Sequence, residues 1–338
     1  MILTCVLLFA TVTTTVQGLL SSSSSPFSAS SASALSATTG GAVWSEADLL
    51  KEKVLADKMN NANDEVKAVP RPIHIKAELL DPKTALFSNM EELLLLPTIN
   101  TDNDQDVVTT TKVVHFQRHG QGYHNLLGDV LRDVGIKPDI RSSDPAINPW
   151  IRPEIVDSPL TELGKRQCEG QRAVASLLNP EVVVVSPLLR AVQTAKLSFA
   201  DYTIDEGSTN NVPWIAHEGC REELGWLVCN KRRPLSEIKA DFPELQFSPD
   251  VSEEDTLWDP SKFESETHKG NRIYDFLVNF LAERPEQNIA VVCHSAWLSH
   301  MCNAVIDCGD DTNLTSWFDV SEIRSMKLTF STTVLKRT

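Results

Sequence analysis

Short β-branched runs alternate along this chain with stretches whose apolar residues recur every three to four positions. Residues 112–116 (KVVHF), 181–187 (EVVVVSP), 212–217 (VPWIAH), 288–295 (NIAVVCHS) and 323–331 (IRSMKLTFS) have the length and composition of strands. The unbroken valines of 182–185 suit a strand buried on both faces. Between these runs, residues 124–134, 160–178, 188–200, 234–241, 263–281 and 296–306 carry helical spacing. Thr161 stands where an N-cap belongs, and Ile273, Phe276, Leu277 and Phe280 share one helical face. Strands alternating with helices of crossover length predict an α/β fold, a three-layer, mainly parallel sheet covered on both faces. This single domain is expected over 107–332. Residues 135–159, rich in Pro, Asp and Ser, read as one long loop.

The N-terminal third follows other rules. Residues 1–18 place a short apolar run ahead of small and hydroxyl side chains, and read as a signal peptide whose only positive charge is the α-amine. That run is too short for a stable membrane span. Residues 19–44 are Ser/Ala-rich and uncharged, a low-complexity linker or a plastid transit segment. Such a leader predicts the secretory pathway or a plastid, the alternative being a cytoplasmic protein. It also predicts a mature N-terminus near residue 19. Residues 45–59 open on Ser-x-x-Asp and repeat apolar residues at helical spacing, an amphipathic helix within an extension over 45–106.

Composition narrows the partners. A formal charge of −15 over 338 residues lacks the basic excess that a nucleic-acid backbone demands. A small phosphorylated substrate remains compatible, since a local arginine cluster can hold a phosphate within an acidic protein. The seven cysteines show no CxxC pair and no zinc-like spacing, so they read mainly as buried thiols. No Walker loop or HExxH occurs, and the reading calls for no metal or cofactor. Nothing in the sequence signals an oligomeric state.

Chemistry concentrates where strands end. The first buried run finishes in Arg118-His119-Gly120, the second in Ser186-Pro187 with Arg190 close behind, and the last in Cys293-His294-Ser295. A lone histidine or arginine at such a place is usually a solvated or structural group. Three strand ends sharing the same exception are not. Side by side in one sheet, they would bring two arginines and two histidines to the edge where parallel sheets bind ligands. Two guanidiniums suit the oxygens of a phosphate, the helix after His119 could offer backbone N–H groups, and Gly120 would let the backbone approach. A neutral imidazole there could carry a phosphoryl group covalently. The loop at 219–225 (GCREELG) supplies Glu222 and Glu223 as candidate acids, and spacing alone does not choose between them or exclude two solvated glutamates.

Five ordered blocks, FQRHGQGYHN, SPLTELG, VVSPLLRAVQTA, CREELG and VVCHSAWLSH, resemble the histidine phosphatase superfamily, in its phosphoglycerate mutase-like branch. RHGQGYHN, the segment 220–247 and RSMKLTF are similar to the plant and fungal phosphoglycerate mutase-like proteins in particular. The resemblance spans residues 113–330. It implies His119 as a nucleophile that becomes phosphohistidine, Arg118, Arg190 and His294 as the phosphate pocket, and Asn125 as a pocket asparagine. It also implies Glu222 as proton donor, with Glu223 as runner-up. Lys231, Arg232 and Arg233 match a basic block of this subgroup and would bind a second anionic part of the substrate, or form a solvated turn. No match to the substrate segments of true mutases is found around Glu222. The expected function is therefore metal-independent phosphomonoester hydrolysis. The alternatives are a phosphoglycerate mutase and a non-catalytic phospholigand-binding protein. Specificity is expected to lie in 135–159 and 226–262.

Overall fold

The computed structural model describes residues 66, 67, 69–80, 99–102, 105–202 and 211–335. The expected leader, linker and helix over 45–59 lie outside the described residues. Among the described residues, no helix is long and apolar enough to cross a membrane.

One sheet organises the structure. Its strands are β1 (Ile73–Leu79), β2 (Ile99–Asp102), β3 (Gln105–Arg118), β4 (Val182–Val185), β5 (Trp214–Ala216), β6 (Leu245–Phe247), β7 (Asn288–Cys293) and β8 (Ile323–Leu335). They run in the order β1-β8-β3-β7-β4-β5-β6, with β2 paired to β3. From β3 through β7, β4 and β5 to β6 every pairing is parallel, whereas β8 lies antiparallel between β1 and β3. The mainly parallel sheet expected from the alternating elements is present.

The helices are α1 (Tyr123–Asp133), α2 (Glu162–Ala175), α3 (Leu189–Ser198), α4 (Leu235–Asp241), α5 (Glu266–Asp275), α6 (Ser295–His300) and α7 (Thr312–Thr315). Period-two side-chain alternation divides the core between the two faces. Val182, Val184, Ile289 and Val291 pack with Ile273, Phe276, Trp297 and Met301 from the α5 and α6 side. Val183, Val185, Ala290 and Val292 pack with Ala191, Ala195 and Ile238 from α3 and α4, together with Ala175 of α2. This is why the central strands carry unbroken apolar runs: neither face meets water.

Three boundaries differ from the sequence expectation. Residues 73–79 form an edge strand of the same sheet, so the boundary at 107 leaves β1 outside the domain and cuts into β3. The expected helix over 263–281 starts at Glu266. Phe263 bridges to Gly225, and Ser265 Oγ accepts from the His268 N–H as N-cap. After α5 and α6 the chain continues in π-helical turns, Phe276–Leu281 and Met301–Val305. The six cysteines from Cys168 onward are buried and free, as small apolar groups.

A smaller apolar cluster lies away from the main core. Ile155 meets Leu227 and Cys229, with Trp150, Ile151, Trp226 and Phe263 packed around them. The two segments expected to govern specificity are thereby joined.

Candidate active site

Strands β3, β7 and β4 are neighbours, which brings the three reactive strand ends together. Arg118 pairs in register with Cys293, and Val185 with Val292. Beyond the last pairs the ladder continues: the His119 N–H donates to the Cys293 carbonyl at 3.0 Å, and the Ser186 N–H to Val292 at 3.0 Å. His119 and His294 consequently face each other with ring centroids 5.1 Å apart.

The hydrogen bonds of His119 select its tautomer. Nδ1 lies 2.7 Å from the Gly120 carbonyl, which can only accept, so Nδ1 carries the proton. Nε2 then carries the lone pair, which accepts the Arg190 Nε–H at 3.3 Å. Burial, reinforced by Arg190 and Arg118, holds this imidazole well below the ordinary histidine pKa. It is neutral at physiological pH and presents Nε2 to the pocket. Arg190 is itself fully buried, its Nη1 donating to the Cys229 carbonyl and its Nη2 to Asn230 Oδ1, both at 2.8 Å. Its guanidinium plane is thus fixed from three sides. Arg118 donates through Nη1 to the Phe318 carbonyl, while its buried Nε has no protein partner. His294 Nε2 lies 2.7 Å from Ser186 Oγ, and its buried Nδ1 is likewise without a partner. The Arg118 Nε–H, and His294 Nδ1–H in the tautomer whose Nε2 accepts from Ser186 Oγ–H, would donate to the oxygens of an anion.

The two candidate acids have separate environments. Glu223 accepts from the buried Lys269 Nζ at 2.6 Å, which makes it half of an ion pair. Glu222 is half-buried and accepts from the Ala296 and Trp297 N–H groups at the start of α6. Those donors and Arg190 favour its carboxylate, but burial and the neighbouring Glu223 prevail, and its pKa is raised. The carboxyl is shifted up and the imidazole down, against their ordinary order, which favours a protonated acid and a neutral nucleophile in one site.

A comparison with protein families gives the same direction. The model for the histidine phosphatase superfamily (branch 1) matches residues 153–332, more than half of the chain. The chain belongs to the histidine phosphatase superfamily. The matched stretch holds Arg190, Glu222 and His294 and begins after His119. A "Phosphoglycerate mutase-like protein" of Arabidopsis thaliana is 34% identical over 242 residues, covering 64% of this chain and 83% of its own. "Phosphomutase-like protein 3" of Candida albicans is 28% identical, covering 56% of this chain and 58% of its own. A solved structure named "Mycobacterial hydrolase 1" is 18% identical, covering 64% of this chain and 92% of its own, with a TM-score of 0.39. Membership supports phosphoryl transfer through a histidine.

Against this superfamily background, several expected details are corrected. Arg232 is buried, with Nε on Glu218 at 2.8 Å and both terminal nitrogens donating to the carbonyls of Arg233, Ser252, Glu253 and Glu254. Both terminal nitrogens are engaged by backbone carbonyls and Nε faces Glu218 as an ion pair, so the residue ties the 252–255 loop. Arg233 binds Asp157 and Asp241 through Nε and Nη1, leaving only Nη2 without a partner. Lys231 stacks over Trp258. The basic block is a structural knot. Asn125 Oδ1 accepts from the Gly122 N–H, so it caps its own helix and only its amide NH2 remains for a ligand. The first N–H groups of α1 are not free either: Tyr123 donates to Pro159 and His124 to Ser158 Oγ. The space beside Gly120 is filled by α2, where a β-carbon would lie 2.6 Å from both Cys168 Sγ and the Gly164 carbonyl. This glycine serves helix packing.

The structure also adds residues that sequence reasoning did not place at the site. Asp157, wholly buried, accepts from the Leu189 N–H at the start of α3 and from Arg233, fixing the helix that carries Arg190. Asn230 joins Arg190 to the acid loop, since its Nδ2 donates to the Glu223 carbonyl at 2.9 Å. Arg272 donates to the carbonyls of Gly219, Arg221 and Glu222 and holds that loop from behind. Buried polar residues beside the recognised blocks were the available signal, but their partners lie tens of residues away in sequence.

Proposed function

We propose that the protein is a phosphomonoester hydrolase acting through a phosphohistidine on His119. The observation that carries this reading is the neutral, oriented His119 imidazole whose Nε2 meets the Arg190 guanidinium, with Arg118 acting on the same ring. Nε2 attacks phosphorus, and the ester P–O bond breaks with its electron pair passing to the leaving oxygen. Glu222 gives that oxygen its proton. Water then attacks the phosphohistidine and delivers a proton to the Glu222 carboxylate. The P–N bond breaks, returning the electron pair to Nε2. Arg118, Arg190 and His294 stabilise the phosphoryl oxygens throughout, which is where most of the acceleration arises. Hydrolysis is preferred to mutase action because the sequence around Glu222 lacks the substrate segments of true mutases and because the terminal nitrogens of Arg232 are taken by backbone carbonyls.

The test is phosphate release from a panel of phosphomonoesters, with and without a bisphosphoglycerate primer. Release without primer is expected, and isomerisation dependent on primer would replace the reading with a mutase. Glu222→Gln should slow alkyl phosphates by roughly 10²- to 10⁴-fold. It should slow p-nitrophenyl phosphate far less, since that leaving group needs no proton. Glu223→Gln should show no such leaving-group dependence and instead lower stability by about 1–3 kcal/mol, by depriving the buried Lys269 of a partner. An inverted pattern would make Glu223 the acid.

The pH profile follows from the signs of the shifts. Glu222 must be protonated and its pKa is raised, so kcat/KM falls as pH climbs through that raised value. His119 must be neutral and its pKa is lowered, so no loss attributable to it occurs near the ordinary histidine value. In Glu222→Gln the alkaline fall should vanish. Its persistence would assign it to another group.

A further inference from the structure

The histidine two turns of chain beyond the candidate nucleophile is unexplained by the mechanism above. His124 is buried, and its ring centroid lies 5.4 Å from that of His119. Among the described residues Nδ1 has no hydrogen-bond partner. The cations and imidazoles of the pocket, Arg190, His119 and Arg118, all act on it electrostatically. That nitrogen lies against Gly122, and it is the nearness of the ring to His119, with its action on His294, that places the imidazole in the pocket.

Its position is built with care. The His124 N–H donates to Ser158 Oγ at 3.1 Å, and its carbonyl accepts from Trp150 Nε1 at 2.8 Å, so the residue is gripped by the loop 135–159. The ring rests against Gly122, where a β-carbon would stand 2.6 Å from Nδ1 and 2.7 Å from Cε1. The backbone of Gly122 is extended, at φ −92° and ψ 164°, so glycine is not required there by conformation. It is required by the imidazole. The sequence Gly122-Tyr123-His124 thus reads as a seat and its occupant.

We propose that His124 is a direct ligand of the phosphoryl group, a third imidazole completing the pocket formed by Arg118, Arg190 and His294. This rests on the phosphoryl-transfer reading. Its place at the junction of α1 and the loop 135–159 would let that loop adjust phosphate binding without touching His119. A contact to the phosphoryl oxygens affects every ester alike, in contrast with Glu222, whose effect follows the leaving group.

The probe is inorganic phosphate, titrated calorimetrically into the full-length protein and three variants. His124→Ala is expected to weaken phosphate binding about ten-fold or more, the value of a hydrogen bond to a charged group. Gly122→Ala keeps the imidazole but displaces it, and should also weaken binding. His124→Gln, which retains a side-chain donor, should fall between His124→Ala and wild type. In turnover, His124→Ala should lower kcat/KM by a similar factor for alkyl and p-nitrophenyl phosphates. Wild-type phosphate affinity in folded His124→Ala would overturn the proposal. If His124→Ala does not fold, wild-type affinity in both His124→Gln and Gly122→Ala would overturn it instead. A wild-type protein that binds phosphate but hydrolyses no ester would defeat the hydrolase reading while leaving this binding test in force.

Discussion

His119→Ala should abolish turnover, with a loss of roughly 10⁴-fold or more, while the protein still folds. In the proposed mechanism the loss is large because the residue supplies the atom that bonds to phosphorus, and no neighbour can substitute. His294 is the nearest alternative imidazole, but its Nε2 faces Ser186 across the pocket. The fold should survive because the side chain's one carbonyl bond is to the adjacent Gly120, and its strand is held by backbone pairs to β7 and β8. The melting temperature should shift by only a few degrees. Two readouts check this: phosphate release, and an acid-labile, alkali-stable phosphoenzyme that forms in wild type and is missing in the variant. A folded His119→Ala protein that still turns over would remove the mechanism.

Arg190→Ala should be nearly as damaging, and on two counts. The guanidinium touches His119 Nε2 and faces the phosphoryl site, so its removal should lower kcat/KM by roughly 10³-fold. It also leaves the buried Cys229 carbonyl and Asn230 Oδ1 without their donor, which should reduce stability by about 2–4 kcal/mol. Arg190→Lys tests the geometry against the charge. An ammonium keeps the charge but cannot reach three acceptors in one plane, so it should recover little activity. Comparing kcat/KM with denaturant melts separates the two losses. A lysine variant with wild-type activity would mean that charge alone suffices.

The residues that came together from sequence did so for one reason. Three strand ends were legible as exceptions to the solvated-loop pattern, and the parallel-sheet expectation placed those strands in one plane. Arg118, His119, Arg190 and His294 followed. What sequence left hidden depends on direction rather than position. Lys231-Arg232-Arg233 looks like any exposed basic turn, and only the fold turns Arg232 inward onto four carbonyls. Asp157 and Asn230 contact helices and loops far away in sequence, so no local period announces them. β1 was legible in principle: Ile73, Ile75, Ala77 and Leu79 alternate with His74, Lys76 and Glu78. The prolines around it obscured a regular period-two pattern. The choice between Glu222 and Glu223 needed Lys269, which sits 46 residues from Glu223 and claims it.

The backbone bond from His119 to Cys293 has a consequence for how such a protein can change. The separation of the two facing imidazoles is inherited from the spacing of adjacent strands, a length set by the peptide group and common to all sheets. It owes nothing to the segments expected to govern specificity. Those segments can be lengthened, shortened or rewritten while the reactive pair keeps its distance. On the proposed reading, a lineage built this way can acquire new substrates by revising residues 135–159 and 226–262 while the paired imidazoles stay where the sheet puts them.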